Sequence, residues 1–277
     1  MPEANLGDVE IYYEQQGEGE PVLLVPASWW PSDAWNVSVV PFLSKRFKTI
    51  IFDCRGTGRS SKPDDGYTVV QFAQDCIRLL AHLGISRCHA VGFALGGQVV
   101  QAMAIKRADL MATLTIAASG SGAKTLSGGA RNVSPDTERE IHDIGFERYI
   151  RNYVENNTMA FNPECYREHG DVVKALADAV WSGQSTVEVF RRHEDARLTW
   201  DTLGKASEVR VPALILCGAD DDVRRRGSTP VGTARRLAKL TPAAELFLIP
   251  NVKHMMFWDG TGGLVALEDF LLRHPIK

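Results

Sequence analysis

The chain has 277 residues, 44% of them hydrophobic and 23% charged, with a formal net charge of −3. That length can bury a large core, either as one domain or as a core with an insertion. The slight acidity, with no basic run beyond Arg224-Arg225-Arg226, argues against a nucleic-acid footprint, and no stretch nears the roughly 18 unbroken apolar residues of a membrane span.

Residues 9–15 alternate in the manner of an edge strand, and 21–27 form a continuous apolar run, as expected of a strand buried on both faces. Residues 48–53 predict another short strand, running into the glycine-rich turn Asp53-Cys54-Arg55-Gly56-Thr57-Gly58-Arg59-Ser60. The spacing of Val69, Phe72, Cys76, Leu79, Leu80 and Leu83 predicts a helix over 68–83 with Gly84 as its stop. A strand at 88–93, a helix at 95–108 and a strand at 111–118 continue the alternation.

Residues 120–205 break that rhythm. The small-residue stretches Ser119-Gly120-Ser121-Gly122 and Ser127-Gly128-Gly129 are followed by helical patterns at 137–156, 170–181 and 186–198 without strands between them. Strand and helix alternate again at 212–218, 229–240, 244–250 and 264–273. The expectation is an α/β core made of residues 1–119 and 206–277, interrupted by a helical cap over 120–205.

Five cysteines, Cys54, Cys76, Cys88, Cys165 and Cys217, are odd in number and scattered. They read as reduced, buried thiols of a cytoplasmic protein rather than a disulfide frame or a metal site. The start, Met-Pro-Glu-Ala-Asn, has neither the basic nor the apolar region of a signal peptide. No cofactor or metal is expected, and no nucleic acid or membrane partner; a homodimer is compatible with the sequence.

Residues 90–97 read Ala-Val-Gly-Phe-Ala-Leu-Gly-Gly. The G-x-S-x-G pattern sets a serine on a sharp turn between a buried strand and a helix, with its hydroxyl exposed above the sheet. Gly92, Gly96 and Gly97 are present, but Ala94 stands at the centre. A methyl group cannot attack a carbonyl. Serine hydrolysis of this type also needs an acid after a later strand and a histidine after the last one. The strand over 213–218 leads into Asp220-Asp221-Asp222, and the strand over 246–250 leads into Asn251-Val252-Lys253-His254.

Four motifs in this order, namely the elbow, the 53–60 turn, the Gly218-to-Asp221 step and the 251–254 loop, make the whole chain resemble an α/β-hydrolase fold protein. The resemblance implies a mostly parallel central sheet with helices on both faces and an inserted helical cap. It implies Asp221 as the acid of a triad and His254 as its base, with Ala94 in the nucleophile's place. It implies an oxyanion hole from the N–H of Leu95 and from the loop after residues 21–27. Relatives carry His-Gly in that loop; this chain has Pro26-Ala27-Ser28-Trp29, and since proline has no N–H the second donor is Ser28 or Trp29. Dehalogenases and epoxide hydrolases of the family place aspartate, commonly followed by tryptophan, at the elbow. Leu95-Gly96-Gly97 follows here, as in serine esterases, lactonases and carbon–carbon bond hydrolases; cofactor-independent oxygenases share the scaffold.

The expected activity is hydrolysis of a carboxylic ester or lactone, with this chain an inactive form in which Ala94 replaces the serine, whether by nature or by exchange. The alternatives are a non-catalytic ligand-binding protein of the same fold and a carbon–carbon bond hydrolase. Trp29, Trp30 and Trp35, with Met255, Met256, Phe257 and Trp258, suggest an apolar pocket for a bulky or aromatic substrate; Trp30, Trp181, Met255 and Phe257 are the candidate contacts. Arg224–Arg226 would suit a substrate carboxylate, although such a run is more often a solvated surface. Asp220 and Asp222 read as solvated neighbours of Asp221, and Asp53 and Arg59 as braces of a turn. His82, His89, His142, His169, His193 and His274 read as ordinary core or surface residues.

Overall fold

The computed structural model describes residues 2–120, 133–156, 159–182, 185–222 and 229–276. An eight-stranded sheet runs through it in the order β1-β2-β4-β3-β5-β6-β7-β8. β1 (Glu3–Asn5), β2 (Glu10–Gln16) and β4 (Lys48–Phe52) are joined antiparallel at one edge. β3 (Pro21–Val25), β5 (Cys88–Phe93), β6 (Met111–Ala117), β7 (Ala213–Gly218) and β8 (Ala244–Ile249) complete a parallel array with β4. β5, β6 and β7 are buried at every residue. Burial on both faces suits their largely apolar sequences, with His89, Thr113 and Thr115 as buried polar exceptions.

Alternate strand residues supply two cores. Leu23, Val25, Ala90, Ile116 and Ile215 face α3 (Val69–His82), α4 (Leu95–Lys106) and α10 (Pro230–Leu240). Leu24, Val91, Phe93, Leu214 and Leu216 face α1 (Asp33–Asn36), α2 (Val39–Leu43) and α11 (Gly262–Leu272). Thr68 caps α3 by accepting from the Gln71 N–H, and Gly84 takes a φ of +68° after it, as its position at the helix end foretells.

Between β6 and β7 the described residues form α5 (Pro135–Ile144), α6 (Phe146–Glu155), α7 (Pro163–Glu168), α8 (Gly170–Ser182) and α9 (Val187–Ala196). The helix expected over 137–156 is two, because Gly145 takes a φ of +83° between them, a conformation that glycine adopts without steric cost. The short elements β1, α1, α2 and α7 were not foreseen; three to six residues carry too little periodicity to register. The stretch from Ser121 to Gly129 and Arg224–Arg226 lie outside the described residues. Among those described, no helix is long and apolar enough to cross a membrane.

Candidate active site

The strand order reverses direction between β3 and β5. In open parallel sheets the loops diverge at such a point and leave a crevice beyond the carboxyl ends of the strands. The loop after β3 and the elbow after β5 both end there. Ala94 has φ 51° and ψ −109°, a sparsely populated conformation whose cost is of order 1–3 kcal/mol. Its N–H is held by the Ala117 carbonyl at 2.9 Å. A Cβ on Gly92 would lie 2.1 Å from the Gly96 oxygen, and one on Gly96 would lie 2.2 Å from the Val25 oxygen. Gly92 and Gly96 are therefore demanded by backbone-to-backbone approach, whatever occupies the centre of the turn, and a Cβ on Gly97 would press on the side chains of Ser119 and Ile116.

Past β7, Ala219 N–H donates to the Ile249 carbonyl and Asp220 N–H to the Val252 carbonyl, at 2.9 and 3.0 Å. These bonds tie the acidic step to the loop after β8, where Asn251 turns with φ 58°. The outcome is a buried pair, His254 Nδ1 to Asp221 Oδ2 at 2.8 Å. With Nδ1–H directed at the carboxylate, Nε2 is left as the acceptor, the tautomer a general base requires. The ring of Phe93 lies 5.2 Å from that of His254. Asp222 is exposed, and Asp220 sits 3.4 Å from the Asn162 amide, so the central aspartate of the three is the one that meets the histidine.

A cavity of about 810 Å³ opens beside the elbow, bordered by Ala94, His254 and Ser28. Trp29, Trp30, Phe93, Tyr149, Tyr153, Phe190 and Met255 form its apolar walls, and Thr137, Glu140, Arg148, Asn152, Glu194 and Arg197 its polar side. Of the four residues singled out from the sequence, Trp30 and Met255 border the cavity. Trp181 and Phe257 do not: Trp181 packs on Phe146, with ring centroids 6.1 Å apart, and Phe257 is fully buried against Trp35, Phe93 and Trp258. Trp35, Met256 and Trp258 are likewise core residues. An apolar side chain near a catalytic loop can equally fill the layer beneath it.

The sequence reading missed Tyr149, Tyr153, Phe190 and Phe93. One signal was present, since Tyr149, Asn152, Tyr153 and Asn156 recur at helical spacing and all four border the cavity.

Of the two oxyanion candidates in the β3 loop, Trp29 is engaged. Its N–H donates to His193 Nδ1 at 3.0 Å, and its carbonyl accepts from Ser185 Oγ at 3.0 Å. The Ser28 N–H has no hydrogen-bond partner among the described residues. Leu95 opens α4, where an N–H has no upstream helical carbonyl, and its side chain packs into the core on the other face of the sheet. Asp53 braces the neighbouring turn: Oδ1 accepts from Ser32 N–H and Oγ at 2.7 Å each, Oδ2 from Arg59 N–H at 2.8 Å.

The model of the Alpha/beta hydrolase family matches residues 22–267. A Synechocystis protein named as a non-heme chloroperoxidase is 32% identical over 271 residues, covering 92% of this chain and 91% of its own. An Azorhizobium caulinodans protein named as carbamate hydrolase RutD is 25% identical over 221 residues, covering 80% and 81%. Among solved structures, the enol-lactonase from Burkholderia xenovorans LB400 superposes with a TM-score of 0.81 at 22% identity, covering 98% of this chain and 100% of that one. The chain belongs to the alpha/beta hydrolase family.

Proposed function

We propose that this site is built to hydrolyse a carboxylic ester or lactone through a nucleophile at position 94, and that Ala94 leaves the chain as written without that step. The observation that carries this reading is the buried 2.8 Å His254–Asp221 contact on the wall of a cavity that also meets Ala94. In a chain with serine at 94, His254 Nε2 would take the hydroxyl proton as the oxygen attacks the carbonyl carbon. Asp221 would stabilise the imidazolium, and the N–H groups of Leu95 and Ser28 would receive the oxyanion. The imidazolium would return the proton to the leaving alcohol, and water activated at the same nitrogen would release the acid.

The aromatic walls favour a bulky or aromatic group on the substrate. Residues 120–205 act in this reading as the cap that shapes the pocket, and the five buried free cysteines agree with a reducing, cytoplasmic setting. The methyl of Ala94 itself favours a second reading, a ligand-binding protein of the same fold.

The test is hydrolysis of short and medium-chain p-nitrophenyl esters and a lactone panel by Ala94→Ser beside the chain as given. A gain of about 10³-fold or more, lost again on adding His254→Ala, upholds the hydrolase reading. Silence of Ala94→Ser across the panel favours the binding protein.

A further inference from the structure

The backbone of Trp29 is held at both its N–H and its carbonyl by residues of the inserted segment. His193, on α9, takes its N–H through Nδ1 at 3.0 Å, and Ser185, just before α9, donates to its carbonyl at 3.0 Å. The other ring nitrogen of His193 stands 2.9 Å from the carbonyl of Arg55. A backbone N–H can only donate and a carbonyl can only accept, so the neighbours fix one neutral tautomer: bare Nδ1, protonated Nε2. The ring is fully buried, lies 4.9 Å from Phe72 and 5.6 Å from Tyr67, and burial pushes its pKa down to about 4.

Trp29 needs holding, because it takes a φ of 53°, which costs a bulky residue energy and persists only where its surroundings compel it. The residue before it, Ser28, borders the cavity, and its N–H has no partner among the described residues. Rotating the Trp29 peptide would swing the loop that presents Ser28, and a misplacement of about 1 Å at a catalytic group can cost ~10²-fold.

We propose that His193, with Ser185, is a positioning residue for the oxyanion hole: it clamps the strained Trp29 peptide so that the Ser28 N–H is held toward the elbow. The hole is then complete only while α9 is docked on the β3 loop. The kinetic consequence of this assignment rests on the ester or lactone reading; the clamp itself does not.

The experiment places His193→Phe, His193→Gln and Ser185→Ala in the Ala94→Ser background. Phenylalanine keeps the ring packing and removes both hydrogen bonds, whereas glutamine keeps one acceptor and one donor on a planar group. The expected result is a fall in kcat of about 10- to 100-fold for His193→Phe with KM within about threefold, recovery of most of kcat in His193→Gln, and a smaller kcat loss in Ser185→Ala. A folded His193→Phe enzyme that keeps kcat within about threefold overturns the assignment. If His193→Phe does not fold, kcat unchanged in Ser185→Ala together with an unprotected Trp29 amide does so. The chain as given decides the clamp even if Ala94→Ser hydrolyses nothing. Its ¹⁵N ring spectrum is expected to show bare Nδ1 and protonated Nε2 at neutral pH, and hydrogen exchange is expected to show a protected Trp29 amide. The opposite tautomer or a fast-exchanging Trp29 amide rejects it.

Discussion

A Cβ on Gly218 would stand 2.2 Å from the carbonyl oxygen of Lys253, so the strand that leads to Asp221 and the loop that carries His254 meet backbone to backbone. No side chain, even a methyl, fits there without moving one of the two. Gly218→Ala is therefore expected to separate acid from base: hydrolysis by the Ala94→Ser form falls at least 10²-fold, and stability drops by about 1–3 kcal/mol from overpacking. Denaturant melts and steady-state kinetics on the two variants check both.

Removing the carboxylate alone tests the same pair chemically. Asp221→Asn in the Ala94→Ser background keeps the volume, but its amide cannot stabilise an imidazolium and lets His254 take the wrong tautomer. The expected loss in kcat is about 10³–10⁴-fold. A loss under tenfold would show that His254 works without Asp221.

Arg55 is 1% exposed as a side chain and donates through Nε and Nη2 to Asp75, itself 3% exposed, at 2.6 and 2.8 Å, with Asp8 also on Nη2 at 2.9 Å. Arg55→Met leaves Asp75 buried with one fewer cation, and the expected cost is about 3–5 kcal/mol. Arg78 still pairs with Asp75 at 2.6 Å, and adding Asp75→Leu, which removes the under-compensated buried carboxylate, is expected to restore part of that loss. Urea unfolding of the two variants measures it.

His193 predicts a pH signature in stability. Burial lowers its pKa from 6.5 to about 4, so between those values the unfolded chain binds a proton that the folded chain refuses. Stability then rises with pH across that window, by up to about 3 kcal/mol from pH 4 to 6.5. The ring faces Tyr67 and Phe72 and the Arg55 carbonyl, with Glu194 adding a small opposing pull. Buried His89, also lowered by burial, contributes with the same sign. The discriminating measurement is the pH dependence of urea unfolding in His193→Gln, which should be flatter than in the parent.

Phe190 and Tyr153 hold Trp29 edge-on, with ring centroids 5.5 and 6.3 Å away, and both border the cavity. Phe190→Ala in the Ala94→Ser background is expected to raise KM for aryl esters about tenfold while acetate esters change less, since one aromatic contact is worth about 1 kcal/mol or more. Equal effects on both ester classes would remove the substrate from that wall.

The succession of strands and helices, the three elbow glycines and the loops that carry Asp221 and His254 were legible in the chain, while the parallel sheet and the choice of Asp221 among three aspartates came from the resemblance to the family. Each legible feature depends on a local property: apolar runs for strands buried on both faces, helical spacing in 68–83, and turn residues directly after a strand. What tertiary structure decided lay between segments far apart in sequence. Whether Phe257 or Tyr153 meets the cavity depends on which layer each packs into, and in a string of letters each is simply an aromatic residue. That the Trp29 N–H is engaged turned on His193, 164 positions away. No periodicity reports that distance, because the hydrogen bond exists only once α9 lies against the β3 loop and the ring has been stripped of water.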